Sequence, residues 1–194
     1  MRLSSLFAFS NEERISLSYL NEKGFIEHTA IIRHPDLILG KHCFIGDRVI
    51  INERRNGGRI QIGDKVEILR DSILETGVGG SIVVGDFSTI HPGGKLFSYV
   101  EPIRIGKGVM IAPDCALFSY NHGFSPHEYI RNQQLESSGP IIIGDESWVG
   151  THVKILQGVT IGNGAVIGAG SVVLGDIPDN AIAAGVPCRV LRYR

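Results

Sequence analysis

The chain has 194 residues, of which 43% are apolar and 20% charged, a balance typical of one globular domain with a real core. Its 19 basic and 20 acidic residues give a formal net charge of −1, which argues against nucleic acid or a membrane surface as a partner. The 25 glycines and the aromatic content of only 7% indicate a fold with many tight turns and few large side chains.

The N-terminal segment 1–38 carries little regular pattern. Residues 1–9 are mildly apolar and are followed at once by the charged segment 11–14. The apolar stretch is therefore too short for a signal peptide, and no later stretch could span a bilayer. The three cysteines are odd in number and far apart, so they form no disulfide framework. We therefore expect a cytoplasmic protein without membrane insertion, whose segment 1–38 forms an N-terminal cap or entry coil.

Residues 39–178 follow a period of six, in which an aliphatic residue is followed four positions later by a small or β-branched one. This period fits neither an amphipathic helix nor an alternating strand, and it predicts a triangular solenoid with three short strands per turn. The prediction is an all-β parallel β-helix of about six coils, followed by a C-terminal capping tail at 179–194. The clearest run of aliphatic positions is Ile143, Val149, Ile155, Ile161, Ile167 and Val173.

Four breaks interrupt the repeat, and each falls after a third strand. They lie after Ile51, Leu74, Leu96 and Leu117. All four insertions should therefore leave from one corner of the prism, while the last two turns stay bare. The longest insertion contains an extended loop at 123–142, and loops of that length in compact domains are usually functional or disordered.

The motifs that accompany the repeat are specific in their order. The chain carries Asn121-His122-Gly123-Phe124, then the segment 139–145 (GPIIIGD), Trp148-Val149-Gly150, Gly168-Ala169-Gly170-Ser171 and the segment 184–190 (AGVPCRV). In these motifs, the chain resembles the hexapeptide-repeat O-acetyltransferases, mainly those acting on sugars or bacterial polysaccharides. The resemblance covers residues 84–192 well. It implies a left-handed helix, a homotrimer with active sites between neighbouring prisms, acetyl-CoA as the donor, and a small-molecule or glycan acceptor.

His122 matches the catalytic histidine of that family. Transfer of an acetyl group from a thioester to a hydroxyl requires a base, and a neutral imidazole titrates in the right range. Glu101, one turn below, is the candidate to orient that imidazole. A plain surface histidine and a solvated glutamate are the alternatives at these two positions.

The resemblance also implies the residues that bind the donor. Trp148 matches an aromatic wall beside the thiol end of CoA, although a ring that simply covers the turn is equally compatible with the sequence. Arginine forks at Arg189, Arg192 and Arg194 suit the CoA phosphates, and a solvated tail is the alternative, more so for Arg194 than for Arg189. The residues predicted to bind the donor are Trp148, Gly150, Thr151, Gly168, Ala169, Arg189 and Arg192.

The acceptor is less well indicated. Asn121 and the polar loop residues Tyr129 and Arg131 suit a polyhydroxylated acceptor, but any exposed loop can be polar. Maltose-acting relatives carry a substrate-binding asparagine near residues 91–94, and this chain has none there. An amino sugar, an antibiotic or serine therefore stays open as the acceptor.

Two other function classes share this fold. The γ-class carbonic anhydrases bind zinc through three histidines, for which His91, His122 and His127 are the superficial match. Because His127 lies beyond the break in the repeat, no strand fixes its direction, and we expect no metal site. A non-catalytic scaffold is the third class, and the presence of both His122 and Trp148 argues against it.

Overall fold

The computed structural model describes residues 10–194. The prediction that no signal peptide is present concerns residues 1–9, which lie outside the described part of the chain. The first helix, α1, spans Asn11–Ser18, and every later regular element is a strand except for one 3-10 turn at Ile130–Asn132. No helix within residues 10–194 is long and apolar enough to cross a membrane.

The strands are short and follow one another as successive coils. The first three coils contain β1 (Phe25–Ile26), β2 (Ile31–Arg33), β3 (Leu37–Leu39), β4 (Phe44–Ile45), β5 (Ile50–Glu53), β6 (Ile60–Ile62), β7 (Glu67–Ile68), β8 (Ile73–Thr76) and β9 (Ile82–Val84). The next two contain β10 (Thr89–Ile90), β11 (Lys95–Ser98), β12 (Ile103–Ile105), β13 (Met110–Ile111), β14 (Ala116–Phe118), β15 (Asn121–His122), β16 (Leu135–Glu136) and β17 (Ile141–Ile143). The last strands are β18 (Trp148–Val149), β19 (Lys154–Leu156), β20 (Thr160–Ile161), β21 (Val166–Ile167), β22 (Val172–Val173), β23 (Ala181–Gly185) and β24 (Cys188–Tyr193).

Three sheets form the faces of a triangular prism. The first face has the order β1-β4-β7-β10-β13-β18-β21-β23-β24, the second β2-β5-β8-β11-β14-β19-β22, and the third β20-β17-β12-β9-β6-β3. The result is a left-handed parallel β-helix, as predicted, with about seven turns. The sequence predicted about six coils. The additional coil contains β1 and β2, within the segment that carries little regular pattern, and it pairs with the coil above.

The prism is filled by the aliphatic positions of the repeat. On the first face Ile45, Ile68, Ile90, Ile111 and Val149 stack in register, and all are buried. Each such side chain contributes about 1.5–3 kcal/mol by leaving water. The small positions are buried as well, and their hydroxyls bond to backbone near the corners: Ser88 Oγ donates to Gly106 O at 2.8 Å, and Ser147 Oγ to Gly162 O at 2.8 Å.

The Gly-Asp pairs of the repeat have a physical cause at the corner between the third and first faces. Asp86 Oδ1 accepts the backbone N–H of Asp64 at 2.9 Å, and Asp145 Oδ1 accepts that of Lys107 at 2.8 Å, so each carboxylate bonds to the coil below. A Cβ on Gly63 would collide with Asp86. Glycine therefore precedes the acidic residue because the next coil's carboxylate lies directly above it.

All four long connections run from the second face to the third, as the breaks in the repeat predicted. They join β5 to β6, β8 to β9, β11 to β12, and β14 to β17. We call this edge the loop corner. The last and longest connection is not a plain loop, because β15 and β16 pair within it as a two-stranded antiparallel sheet.

Both ends of the solenoid carry ordered extra elements. A capping box closes the start of α1, with Ser10 Oγ accepting the N–H of Glu13 at 3.2 Å. Arg14 on α1 bonds to Glu27 at 2.7 Å and to Asp47 at 2.9 Å, which ties the helix to the first coils. At the other end β23 joins the first face and β24 folds back antiparallel beside it.

Candidate active site

His122 lies at the loop corner, just beyond the fifth coil of the second face. It stands opposite Leu135 in the β15–β16 pair, while Asn121 stands opposite Glu136. Both His122 and Asn121 are exposed, and Asn121 Oδ1 accepts the backbone N–H of His122 at 3.1 Å. The imidazole has no hydrogen-bond partner among residues 10–194, so both of its nitrogens can meet a ligand.

Glu101 lies at the same corner one coil lower, and its backbone is firmly held. Its carbonyl accepts Ser119 Oγ at 2.6 Å and Ser98 Oγ at 3.0 Å. The carboxylate makes no ion pair or hydrogen bond with His122 or any other described residue. The structure thus places the two predicted residues at one edge without bringing them into contact within a single chain.

One glutamine side chain organises the loop that follows His122. Gln133 Oε1 accepts the N–H of Ser125 at 2.7 Å, and Gln133 Nε2 donates to the carbonyls of Ser125 and Glu128 at 2.9 and 2.8 Å. The loop residues predicted to bind acceptor, Tyr129 and Arg131, are both exposed, Tyr129 by 79%. Tyr129 lines a shallow cavity of about 360 Å³ within the loop, whereas Arg131 does not.

The residues predicted to bind the donor share the first face. Trp148 in β18 is 49% exposed and stands in an outward column with Val166, Ile182 and Arg192. With strands about 4.8 Å apart, the three steps from Trp148 to Arg192 span roughly 14 Å. The column thus has an aromatic ring at its lower end and a guanidinium on its last strand.

A second column, of very small residues, runs beside the first. Gly150, Gly168 and Ala184 follow one another on successive coils, with Gly150 N–H bonded to Ile167 O and Gly168 N–H to Ala183 O, each at 2.8 Å. Arg189 pairs with Ala184 on the last strand and ends this column too. A Cβ on Gly168 would lie 2.7 Å from that of Ala184, so the coils meet closely here. These residues form a strip without large side chains, which we call the bare strip.

Thr151 and Ala169 lie at the edge of the bare strip. The Thr151 hydroxyl donates to Pro113 O at 2.8 Å, so it could only accept a hydrogen bond from a ligand. The Thr151 carbonyl accepts the N–H of Gly170, and Ala169 is exposed. The seven predicted donor-binding residues are therefore brought together along one side of the upper coils.

The two halves of the predicted site lie on opposite sides of the prism. His122 is at the loop corner between the second and third faces, and in a triangular prism that corner is the vertex opposite the first face. Trp148 lies on the first face itself. Within one chain, His122 and Trp148 therefore lie on different sides of the prism.

A cavity of about 610 Å³ was missed by the sequence analysis. It opens at the loop corner and is lined by Arg54, Arg55, Val78, Tyr99, Val100 and Leu135. The Tyr99 phenol donates a hydrogen bond to Glu75, whose other oxygen accepts Asn52 Nδ2 at 3.0 Å. Burial raises the pKa of Tyr99, Glu75 adds to the increase, and the nearby Arg54 opposes it.

The repeat does contain a signal for this cavity. Arg54, Gly77, Tyr99 and Tyr120 each stand three residues after the inward aliphatic of the second face, so they form one column at the loop corner. The rings of Tyr99 and Tyr120 are 4.7 Å apart. Reading the repeat for outward as well as inward positions would have found these residues.

The metal interpretation gains no support from side-chain positions. No group of three or more His, Cys, Asp or Glu residues within 10–194 is arranged to hold an ion. His91, His122 and His127 thus form no ligand set within one chain.

Comparison with known proteins agrees with this fold. The sequence model of the family "Bacterial transferase hexapeptide (six repeats)" matches residues 140–175. A protein of Staphylococcus aureus (strain COL), whose name describes it as an acetyltransferase, is 50% identical to this chain. The match covers 75% of this chain and 83% of that protein. The chain belongs to the hexapeptide-repeat acetyltransferases.

Two further relatives place this acetyltransferase within its family. The galactoside O-acetyltransferase of Escherichia coli (strain K12) is 51% identical over 46% of this chain, and the match spans 43% of that enzyme. A hexapeptide-repeat acetyltransferase of Vibrio cholerae O1 biovar eltor, solved in complex with acetyl-CoA, superposes with a TM-score of 0.58 at 23% identity. That superposition covers 96% of this chain and 79% of the other, and it shows a shared fold.

Proposed function

We propose that this acetyltransferase transfers acetyl from acetyl-CoA to a hydroxyl of a sugar or a bacterial surface polysaccharide, with His122 as the general base. Two features of the structure carry the proposal. The His122 imidazole, which has no hydrogen-bond partner among the described residues, lies at one edge of the prism, and the bare strip, with an aromatic ring and two arginines, lies at another. The E. coli relative, which acts on a galactoside by its name, supports a sugar hydroxyl as the acceptor.

The bare strip fits the shape of the donor. Acetyl-CoA is a long thin thioester with phosphates at one end, and the strip is shallow because its residues are glycine or alanine. Trp148 would cover the thioester end, while Arg189 and Arg192, on the last strand, would bind phosphate through charge-assisted bonds. Thr151 and Ala169 would line the pantetheine between these two ends.

The chemistry needs one proton acceptor. The neutral His122 imidazole takes the proton of the acceptor hydroxyl as its oxygen bonds to the acetyl carbonyl carbon. The C–S bond then breaks, and the departing sulfur receives that proton from the imidazolium. General base catalysis of this kind contributes about 10²–10⁴ in rate. Glu101 would hold the second ring nitrogen once ligand binding draws the two side chains together.

We infer a homotrimer, in which His122 of one subunit meets the bare strip of the next. The reason is geometric, since the loop corner and the first face point in different directions and a ring of three prisms brings them together around a threefold axis. We place the enzyme in the cytoplasm, because its three cysteines are free thiols buried in the fold and no disulfide contributes to its stability.

A thiol-release assay with acetyl-CoA tests the proposal across free sugars, sugar nucleotides and polysaccharides. The expected result is CoA release that depends on a hydroxyl-bearing acceptor and falls by at least about 10²-fold in His122→Ala. The matched control is His28→Ala, because His28 is exposed on the first coil, far from either half of the site. Undiminished transfer by His122→Ala would overturn the base, and no acetyl-CoA-dependent transfer at all would overturn the function.

A further inference from the structure

The cavity at the loop corner is built by all four insertions of the repeat. Arg54 and Arg55 come from the first, Val78 from the second, Tyr99 from the third and Leu135 from the fourth. Its volume of about 610 Å³ is within the range of small-molecule sites, which is about 300–1,000 Å³. Four separate loops thus line one half-open space of a size suited to a small ligand.

Two arginines bring positive charge to the cavity, and one of them, Arg54, also acts on the Tyr99 phenol. Arg54 and Arg55 both line it, and neither forms an ion pair with a carboxylate of the described residues, whereas Arg59 in the same insertion pairs with Asp36 at 3.0 Å. Glu75 and Glu53 do not line the cavity: Glu75 accepts from Tyr99 and Asn52, and Glu53 Oε1 accepts the N–H of Gly57 at 2.9 Å. Two arginines that are neighbours in the chain, in a cavity with no acidic residue in its lining, suit an anion.

One wall of the cavity is a fixed aromatic ring. The Tyr99 ring lies over Gly77, where any Cβ would collide with it, and its hydroxyl is bonded to Glu75. Tyr120 packs against the same ring from the coil above. Together with Val78, Tyr99 offers an apolar surface of the kind that ligand sites place beside a few polar groups.

The cavity lies beside the strand pair that carries the proposed base. Leu135 lines it and stands opposite His122 in the β15–β16 pair. We propose that this cavity is an acceptor subsite for an anionic sugar, in which Arg54 and Arg55 bind a carboxylate or phosphate while the sugar ring contacts Tyr99. The inference rests on the proposed function for its reaction, because it names the class of acceptor that His122 would deprotonate.

The kinetic test compares acceptors that differ only in charge. Methyl galacturonoside should be acetylated with a kcat/KM at least about tenfold above methyl galactoside, and galactose 1-phosphate shows whether phosphate serves as well as carboxylate. Arg54→Gln and Arg55→Gln should each raise KM for the anionic acceptor about tenfold or more, and raise KM for the neutral one clearly less. Arg59→Gln, with the same charge change in the same insertion, should keep the preference. Equal effects on both acceptors, or no preference in the native enzyme, would overturn the subsite.

Binding without turnover separates this inference from the function it rests on. Galacturonate oligosaccharides are titrated calorimetrically into His122→Ala protein and into the same protein carrying Arg54→Gln or Arg55→Gln. Saturable binding that is lost with either arginine supports the subsite even if no acetyl transfer is found, in which case only the proposed function fails. If the oligosaccharides do not bind to His122→Ala while the native enzyme transfers acetyl to neutral sugars, the subsite is contradicted and the proposed function stands.

Discussion

The ring of Tyr99 occupies the space that a side chain on Gly77 would need, one coil below. Because Gly77 has no side chain, the ring can lie against it, and in this position its hydroxyl reaches Glu75. We expect Gly77→Ala to push the ring away, break that bond and lower the free energy of unfolding by about 1–3 kcal/mol. Chemical denaturation measures the loss.

Gly175→Ala is the matched control for this substitution. A Cβ on Gly175 meets nothing within 4 Å, so its stability should change little. In the double variant Gly77→Ala/Tyr99→Ala the cost of the alanine at 77 should largely vanish, because the ring it displaces is gone. A Gly77→Ala protein as stable as the native one would show that the ring does not depend on this glycine.

The same phenol makes stability depend on pH. Because burial and Glu75 raise the pKa of Tyr99 above its ordinary value of about 10, its contribution to stability is complete below that pH. It is lost as pH rises above 10, since the unfolded phenol ionises before the folded one. Unfolding titrations between pH 9 and pH 11 should therefore show a steeper decline for the native protein than for Tyr99→Phe. Parallel curves would contradict the raised pKa.

Much of the fold could be predicted because the repeat acts locally. The inward aliphatic and small positions, and the single corner used by every insertion, depend only on residues six apart and on where that spacing fails. The first coil, predicted only as a cap or entry coil, has a weak pattern because Ile31, Ile32 and Ile38 are exposed there. No such local rule covers the bond from Tyr99 to Glu75, which joins residues 24 apart through one particular ring orientation.

Candidate site residues could be named from the sequence, but their arrangement in one chain could not. Motifs pointed to His122 and Trp148, yet their positions on opposite sides of the prism follow only from the order of the three faces. The cavity went unnoticed because its lining comes from four loops, and loop conformation depends on contacts such as those of Gln133 rather than on the repeat.

Gln133 provides a test of how the loop supports the base. Gln133→Glu keeps the size of the side chain but removes the two bonds donated to Ser125 and Glu128, and it places a carboxylate against their carbonyls. We expect faster proteolysis within 123–133 and a kcat/KM at least about fivefold lower, with the melting temperature nearly unchanged because no core residue is altered. Asn132→Asp, an exposed neighbour with the same charge change, is the control. Equal activity in the two variants would separate the loop from catalysis.

Trp148 is the only tryptophan and is about half exposed, so its fluorescence reports on the bare strip. Saturating acetyl-CoA should change its emission and raise the melting temperature through binding to the folded state. Ala169→Tyr should abolish both effects, because a ring there would fill the edge of the strip without entering the core. Leu174→Tyr, an exposed position in the same coil, should leave both intact. A full fluorescence and melting response in Ala169→Tyr would show that acetyl-CoA binds elsewhere.

The proposed shared site is tested most directly by mixing two inactive variants. His122→Ala lacks the base and Ala169→Tyr blocks the strip, so each homotrimer should be inactive. In a ring where the base of one subunit serves the strip of the next, every mixed trimer contains one intact pairing. Co-expressed, doubly tagged and purified mixed trimers should therefore recover about one third of native acetyl transfer. Mixed trimers that stay as inactive as their parents would contradict a site shared between subunits.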